Sequence, residues 1–414
     1  MPKEPALAQT RRRRFLDRVR AEIAPEIGPG PLGLAVSGGG DSLAMLYAMA
    51  EHAAAFGWVL SVATVDHGLR PEAADEARMV SQRCADLGIA HQTLRWDHAG
   101  AVSGNLMDAA RRARYRLLAD WAQGLGRVAV AHTADDQAET VLMGLSRAAG
   151  LDGLAGLRPQ WDVAGVRFLR PFLAVTRAEM QSYLADCGVV WVDDPTNDDM
   201  AFDRVKARRA MLALRGLGVT PAKIARVARN LAAVQADLRG MVADAAARVV
   251  TEAAGALVFD RVGFSALPDE VARRLAQGAL LWLSGEAYAP RGASVVRFVK
   301  AVRDGHGATL AGCRLLRGGQ VVREPRAAGG PVPVGQVWDG RWRVQGPGGD
   351  VRALGADGLG QVPDWRAQGI SRDAALVLPG VWEGDKLIAA PLLRFGEGYT
   401  ATLTAGFGLF LLSH

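Results

Sequence analysis

The chain has little cysteine. Three occur in 414 residues, Cys84, Cys187 and Cys313, far apart and without a CxxC pair. That spacing speaks against a disulfide framework or a zinc ribbon and fits a reducing compartment. The opening stretch MPKEPALAQTRRRRFLDRVRAEIA lacks the apolar core of a signal peptide. No apolar run is long enough to span a bilayer. Internal repeats and long low-complexity tracts are also missing. Together these absences lead us to expect a cytoplasmic protein with no membrane partner.

What is present suits a globular enzyme. Half the residues are hydrophobic and 22% are charged, enough for sizeable cores and too apolar for a disordered chain. The length exceeds one ordinary domain. The formal charge of +6 suits a polyanionic partner. Residues 1–30 read as a basic helix ended by IGPGPLG, with Arg11 to Arg14 either a solvated face or an RNA contact. From 31 to 215, strands alternate with helices. LGLAV, VLSVATVDHGL, HQTLRW and RVAVAHTADD are strand candidates, with a fifth and sixth near FLRPFL and VVWVDDP. Such alternation predicts an α/β fold with a doubly wound, Rossmann-like parallel sheet. Ligands of these sheets bind beyond the carboxyl ends of the strands, and the motifs below fall there. Arg204 to Arg239 holds nine Lys or Arg and one acid, Asp237. Residues 216–305 read as a helical region. From 306 to 414 the chain turns Gly-rich and β-like, a small α+β C-terminal domain, with AAGGPVPVG as a linker.

The string AVSGGGDSL sets Gly38, Gly39 and Gly40 between a strand and a helix. Glycines let backbone approach a ligand, and the helix start offers free N–H groups to an anion. Ser37 and Ser42 add hydroxyl donors. The string is neither GxxxxGK[ST] nor GxGxxG. Asp41 is an acid inside a phosphate-binding turn. It calls for an intervening cation, and Mg²⁺ shared with phosphate oxygens meets that need; the bland alternative is a helix N-cap. Asp66, His67 and Arg70 end the second strand. Arg111 and Arg114, with Tyr115, make an RxxRY pattern whose arginines share a helix face. His132 ends a strand. Asp136 and Glu139, three apart, share a helix face able to hold a metal or an ammonium group.

SGGGDS matches the signature of the pyrophosphatase-loop ATPases. With DHGLR, RxxRY, HxxxDQAET, GLDGL, RPFL at 170–173 and DDPTN at 193–197, all in order, the chain resembles the tRNA(Ile)-lysidine synthetases, most densely over 30–210. Ala131 stands where that family commonly has glycine. RVKARR at 204–209 takes the place of a further Arg-rich patch. The missing CxxC pairs argue against the sulfur-inserting tRNA enzymes of the superfamily. A nucleotide sensor would leave Asp41, Asp136 and Glu139 without a task. A small-molecule amide synthetase would not need the basic helices.

The resemblance implies an adenine nucleotide alpha-hydrolase-like fold and an ATP-dependent ligase forming a carbon–nitrogen bond. The cytosine O2 of the wobble base in the CAU-anticodon isoleucine tRNA attacks ATP, and the ε-amine of free L-lysine then displaces AMP. It implies ATP at Ser37 to Ser42, Asp66 and His67, and Mg²⁺ at Asp41. Asp136 and Glu139 would bind lysine, with Arg111 and Arg114 on developing negative charge. His132 or one of the acids would remove the lysine proton, though a structural role for the histidine stays open. Arg204, Lys206, Arg208 and Arg209 would contact tRNA. The superfamily includes dimers, so a homodimer is among the expectations.

Overall fold

The computed structural model describes residues 4–68, 73–97, 106–191, 203–286, 290 and 292–413. Arg70 and the DDPTN motif lie outside the described residues. The chain forms two compact units, Met1–Gln235 and Ala236–His414.

The first unit begins with helix α1 (Glu4–Arg18), a π-helical turn at Val19–Ile23 and the short α2 (Ala24–Ile27). There follow β1 (Gly30–Ala35), α3 (Gly40–Phe56), β2 (Trp58–Asp66), α4 (Ala73–Asp86), β3 (Ala90–Arg95) and α5 (Leu106–Trp121). Then come β4 (Arg127–Val130), α6 (Ala134–Leu145), α7 (Leu151–Leu154), β5 (Gln160–Val163) and β6 (Val166–Leu169). Helices α8 (Arg177–Asp186), α9 (Asp203–Leu214) and α10 (Pro221–Val249) follow, and the unit boundary falls inside α10.

The sheet order is β3-β2-β1-β4-β6-β5. Every pairing is parallel except the β5–β6 hairpin. The period-2 pattern of the strands explains the layers. Leu32, Leu34 and Val36 point to one face with Leu60, Val62 and Ala129, and meet residues of α1, α3, α4 and α8. Ala35, Ala63, Val128 and Val130 point to the other face, against Leu118, Ala119 and Ala122 of α5. Leu34 is fully buried; removing such a side chain costs about 2–5 kcal/mol. A side chain at Gly33 would lie 2.7 Å from the Trp121 ring, so glycine there lets α5 sit close to β1. The chain runs outward from β1 through β2 and β3, then returns to β4 on the other side. The β1/β4 border is therefore the topological switch point, where such sheets bind ligands.

The basic N-terminal helix is used partly as a clamp. Arg11 pairs with Asp186 at 2.6 Å, Arg12 with Glu51 at 2.8 Å and Arg18 with Glu179 at 2.7 Å. Phe15 stacks on Tyr183 with centroids 4.6 Å apart. Arg11 and Arg12 thus hold α1 on α8 and α3, while Arg13 and Arg14 are exposed.

One strand expectation needs correcting. Val189 to Trp191, the described part of VVWVDDP, forms no strand. The sixth strand is β5, joined to β6 by Ala164 and Gly165 at φ 48° and 83°. Two successive positive φ values make the tight turn that suits hairpin twist, and the antiparallel edge strand follows from it.

The second unit opens with another Ala-Gly turn, Ala254 and Gly255 at φ 48° and 70°. It joins β7 (Val250–Ala253) to β8 (Ala256–Phe259), a hairpin inside a stretch that reads as helical. These strands belong to the antiparallel sheet β7-β8-β11-β10-β9, with β9 at Ala308–Leu310, β10 at Cys313–Leu315 and β11 at Gln320–Arg323. Amphipathic helices at Asp269–Ser284 and Ala293–Asp304 pack on it through Leu275, Leu280, Phe298 and Val302. Beyond residue 330, a four-stranded and a three-stranded antiparallel sheet share a core containing Trp338, Trp342, Trp365 and Trp382. No helix among the described residues is long and apolar enough to cross a membrane.

Candidate active site

The loop after β1 is shaped by its own hydroxyls. Ser37 donates its backbone N–H to Ser42 Oγ at 3.2 Å, and Ser42 donates to the Gly39 carbonyl at 2.9 Å. Gly38 has φ 91°, which only glycine adopts without strain. No side chain caps the start of α3. Its first N–H groups therefore remain for an anion at the switch point.

Asp41 sits in the first turn of α3. Its Oδ2 accepts from Arg177 Nε at 3.0 Å, while Oδ1 is buried without a partner. Burial raises the Asp41 pKa against the opposing pull of Arg177. An orphaned carboxylate oxygen beside a phosphate loop fits a bridging cation. Among the described residues there is no cluster of three or more His, Cys, Asp or Glu that could hold a metal alone. Phosphate oxygens would have to complete the shell.

The second arm comes from β4 and α6. Thr133 caps α6, and Asp136 Oδ2 accepts from its backbone N–H at 2.8 Å and its hydroxyl at 3.0 Å. This fixes the Asp136 carboxylate as a capping box. Burial works against ionisation of Asp136, but the charges of His132 and Arg177 and the Thr133 N–H outweigh it and hold the pKa below its ordinary value. Glu139, one turn on, is 2% exposed. Its Oε1 accepts from Arg208 Nε at 3.0 Å, and its Oε2 is buried without a partner.

Arg177 joins the two arms. Besides Asp41, its guanidinium lies 3.7 Å from Asp136 and 3.6 Å from Glu139, and its backbone N–H donates to Asp135. Burial disfavours its charge, but Asp41, Asp136 and Glu139 more than compensate and raise its pKa. Three carboxylates from two helices thus converge on one cation. Sequence reading did not include Arg177. It lies outside every motif, and only the packing of α8 against α3 brings it in.

The other expected residues divide. Asp66 is buried at the end of β2 and accepts from the Gly68 N–H at 2.9 Å. His67 presents its edge to Trp96, and its Nδ1 is buried without a partner. Burial and the Arg114 charge lower the His67 pKa. Arg114 is half-buried and its charge reaches both His67 and His132, while Arg111 is exposed with its guanidinium 5.3 Å from the Tyr115 ring. On α9, Arg204 and Arg208 are one turn apart. The Arg204 charge reaches His132 and Asp136, and Arg208 binds Glu139. Lys206 and Arg209 are exposed, Lys206 pairing with Asp203 at 3.0 Å. A further residue without an assigned role is Arg170, from RPFL. Its Nε donates to His132 Nδ1 at 3.0 Å.

Residues 12–214 match a family model described as a PP-loop domain. Over 412 residues the chain is 42% identical to the tRNA(Ile)-lysidine synthase of Ruegeria pomeroyi, covering 97% of this chain and 98% of that one. The chain belongs to the tRNA(Ile)-lysidine synthase family. The synthase of that name from Novosphingobium aromaticivorans is 42% identical over 72% of this chain and 89% of its own. The Rhizobium meliloti synthase is 34% identical over 92% and 88%. Membership makes the protein an ATP-dependent ligase built on a PP-loop domain.

Proposed function

We propose that Asp41, Asp136 and Glu139 form the chemical centre of lysidine synthesis in this chain. The reaction is that of the family: ATP-dependent conversion of the wobble cytidine of CAU-anticodon isoleucine tRNA to lysidine. The observation that carries the residue assignment is the convergence of three acids on one cation beside an uncapped phosphate loop.

In the first step the cytosine O2 forms a bond to the α-phosphorus, and the bond to the β-phosphate oxygen breaks. Negative charge grows on the departing pyrophosphate. The N–H groups of Gly38 to Ser42 and the Arg114 charge would stabilise it. Mg²⁺, held by Asp41 and phosphate oxygens, would neutralise part of the same charge. In the second step the lysine ε-nitrogen bonds to carbon 2 and AMP leaves. Free lysine carries an ammonium group of pKa about 10.4. Asp136 and Glu139 bind it in place of the Arg177 guanidinium, and the amine must lose a proton before it attacks. Glu139 Oε2, buried and unpartnered, is the acceptor we assign.

The base must leave its stack to reach this pocket, as anticodon bases readily do. Exposed Lys206 and Arg209 on α9, and Lys223, Arg226 and Arg229 on α10, suit phosphate contacts along the tRNA. A cytoplasmic setting belongs to the same reading. The test is incorporation of labelled lysine into an unmodified CAU-anticodon isoleucine tRNA transcript, with ATP and Mg²⁺, followed by nucleoside mass analysis. Label in a lysine-bearing cytidine supports the assignment. Pyrophosphate release without label would demand another nucleophile.

A further inference from the structure

The His132 ring is addressed from four elements. Arg170, which follows β6, donates from Nε to Nδ1 at 3.0 Å. The negative charge of Asp136 on α6 reaches the ring, as do the positive charges of Arg114 on α5 and Arg204 on α9. Arg170 is itself anchored. It is 8% exposed, a second N–H donates to the Arg158 carbonyl at 2.6 Å, and its guanidinium lies 3.7 Å from the centroid of the Trp161 ring. A guanidinium has donors only. An imidazole nitrogen within hydrogen-bond distance of it must offer a lone pair, so the proton of the neutral ring sits on the other nitrogen.

We propose that Arg170 is a positioning residue that locks His132 in the Nε2–H tautomer, so that His132 meets the adenylation step as a hydrogen-bond donor and not as a base. The inference rests on the adenylation reading above. A donor at this strand end, across the switch point from the phosphate loop, suits a phosphoryl oxygen of ATP that gains charge as the cytosine oxygen attacks. Becoming an imidazolium would cost the ring its bond from Arg170 and set a cation among three arginines. Burial, with the Arg170, Arg114 and Arg204 charges, overcomes Asp136 and pushes the His132 pKa down to about 3, which keeps the ring neutral near pH 7. Burial also lowers Arg170, to about 10, and it stays protonated there.

Two variants of His132 separate the roles. His132→Gln keeps an N–H of similar reach and cannot act as a base; His132→Ala has neither. Pyrophosphate release is measured on the tRNA transcript at saturating ATP. The Gln variant should stay within about tenfold of the parent kcat, and the Ala variant should fall about 10²- to 10³-fold, the loss typical of one transition-state donor. Equal losses in the two variants overturn the donor role. Histidine-selective ¹⁵N spectra of the full chain read the tautomer directly, with His132→Gln assigning the signal. At pH 7 the parent should show an unprotonated Nδ1 and a protonated Nε2. Arg170→Gln should turn this into a tautomer mixture and lower kcat more than it raises KM for ATP. An Nδ1–H tautomer or an imidazolium in the parent overturns the proposal, as does an Arg170→Gln spectrum identical to the parent's. A parent enzyme that releases no pyrophosphate with this tRNA would sink the adenylation reading, while the spectra still judge the tautomer.

Discussion

Asp41 and Glu139 each leave one carboxylate oxygen buried and unpartnered, and the two orphans lie on opposite arms of one pocket. They should fail differently. Asp41→Asn removes the charge at the phosphate loop. It should abolish pyrophosphate release while the Kd for tRNA stays within about twofold, since the tRNA phosphates are met elsewhere. Normal release by this variant would remove Asp41 from the first step. Glu139→Gln weakens a charge-assisted contact worth about 1.5–3 kcal/mol. The KM for lysine should rise about 10- to 100-fold and the lysine-dependent step should slow, because an amide cannot take the ammonium proton, with the KM for ATP nearly unchanged. Equal rises in both would place Glu139 outside the amino-acid site. These acids stand out in the sequence as an acid inside a Gly-rich turn and a pair on one helix face, although Asp136 also closes the capping box of α6. Their counter-ions do not stand out. Arg177 and Arg208 look like any surface arginine until α8 and α9 pack, and Arg170 gains its meaning only from the ring it faces.

At the scale of elements, the parallel core was legible from four apolar runs alternating with amphipathic helices. What escaped were the two hairpins. Each turns on an Ala-Gly pair, a weaker signal than Asn-Gly or Asp-Gly, so FLRPFL reads as a strand without its hairpin partner and the 250–259 stretch reads as helical. The β5–β6 turn should consequently depend on Gly165 more than on any side chain nearby. At φ 83°, Gly165→Val forces a β-branched residue into a left-handed conformation. A loss of about 1–2 kcal/mol is expected, read as a lowered midpoint in thermal or denaturant unfolding. A midpoint unchanged within error would mean that the turn is not held as described.

For the whole molecule, the modest basic excess is a poor guide to where the charge acts. Arg11, Arg12 and Arg18 are spent on internal ion pairs, and the charges of Arg204 and Arg208 reach Asp136 and Glu139. The exposed cations of α9 and α10 are the ones we propose meet tRNA phosphates. Replacing both Lys206 and Arg209 with Ala should weaken tRNA binding and make the log Kd against log salt line shallower by about 1–2. Lysine-independent steps on a short anticodon oligonucleotide should be barely affected. A steep, unchanged salt slope would put the tRNA path on another surface.

The place of Arg177 has one more consequence. Asp41, Asp136 and Glu139 do not face each other bare, because the tethered Arg177 guanidinium lies among them and offsets part of their charge. On the lysine-binding reading proposed above, an incoming ammonium would replace one positive charge with another among the acids, and the displaced guanidinium would need a new anion. The phosphates of ATP are the nearest anions able to receive it. Lysine would then enter most readily after the nucleotide, so the order of the two chemical steps is favoured by where the displaced guanidinium can go before any bond is made.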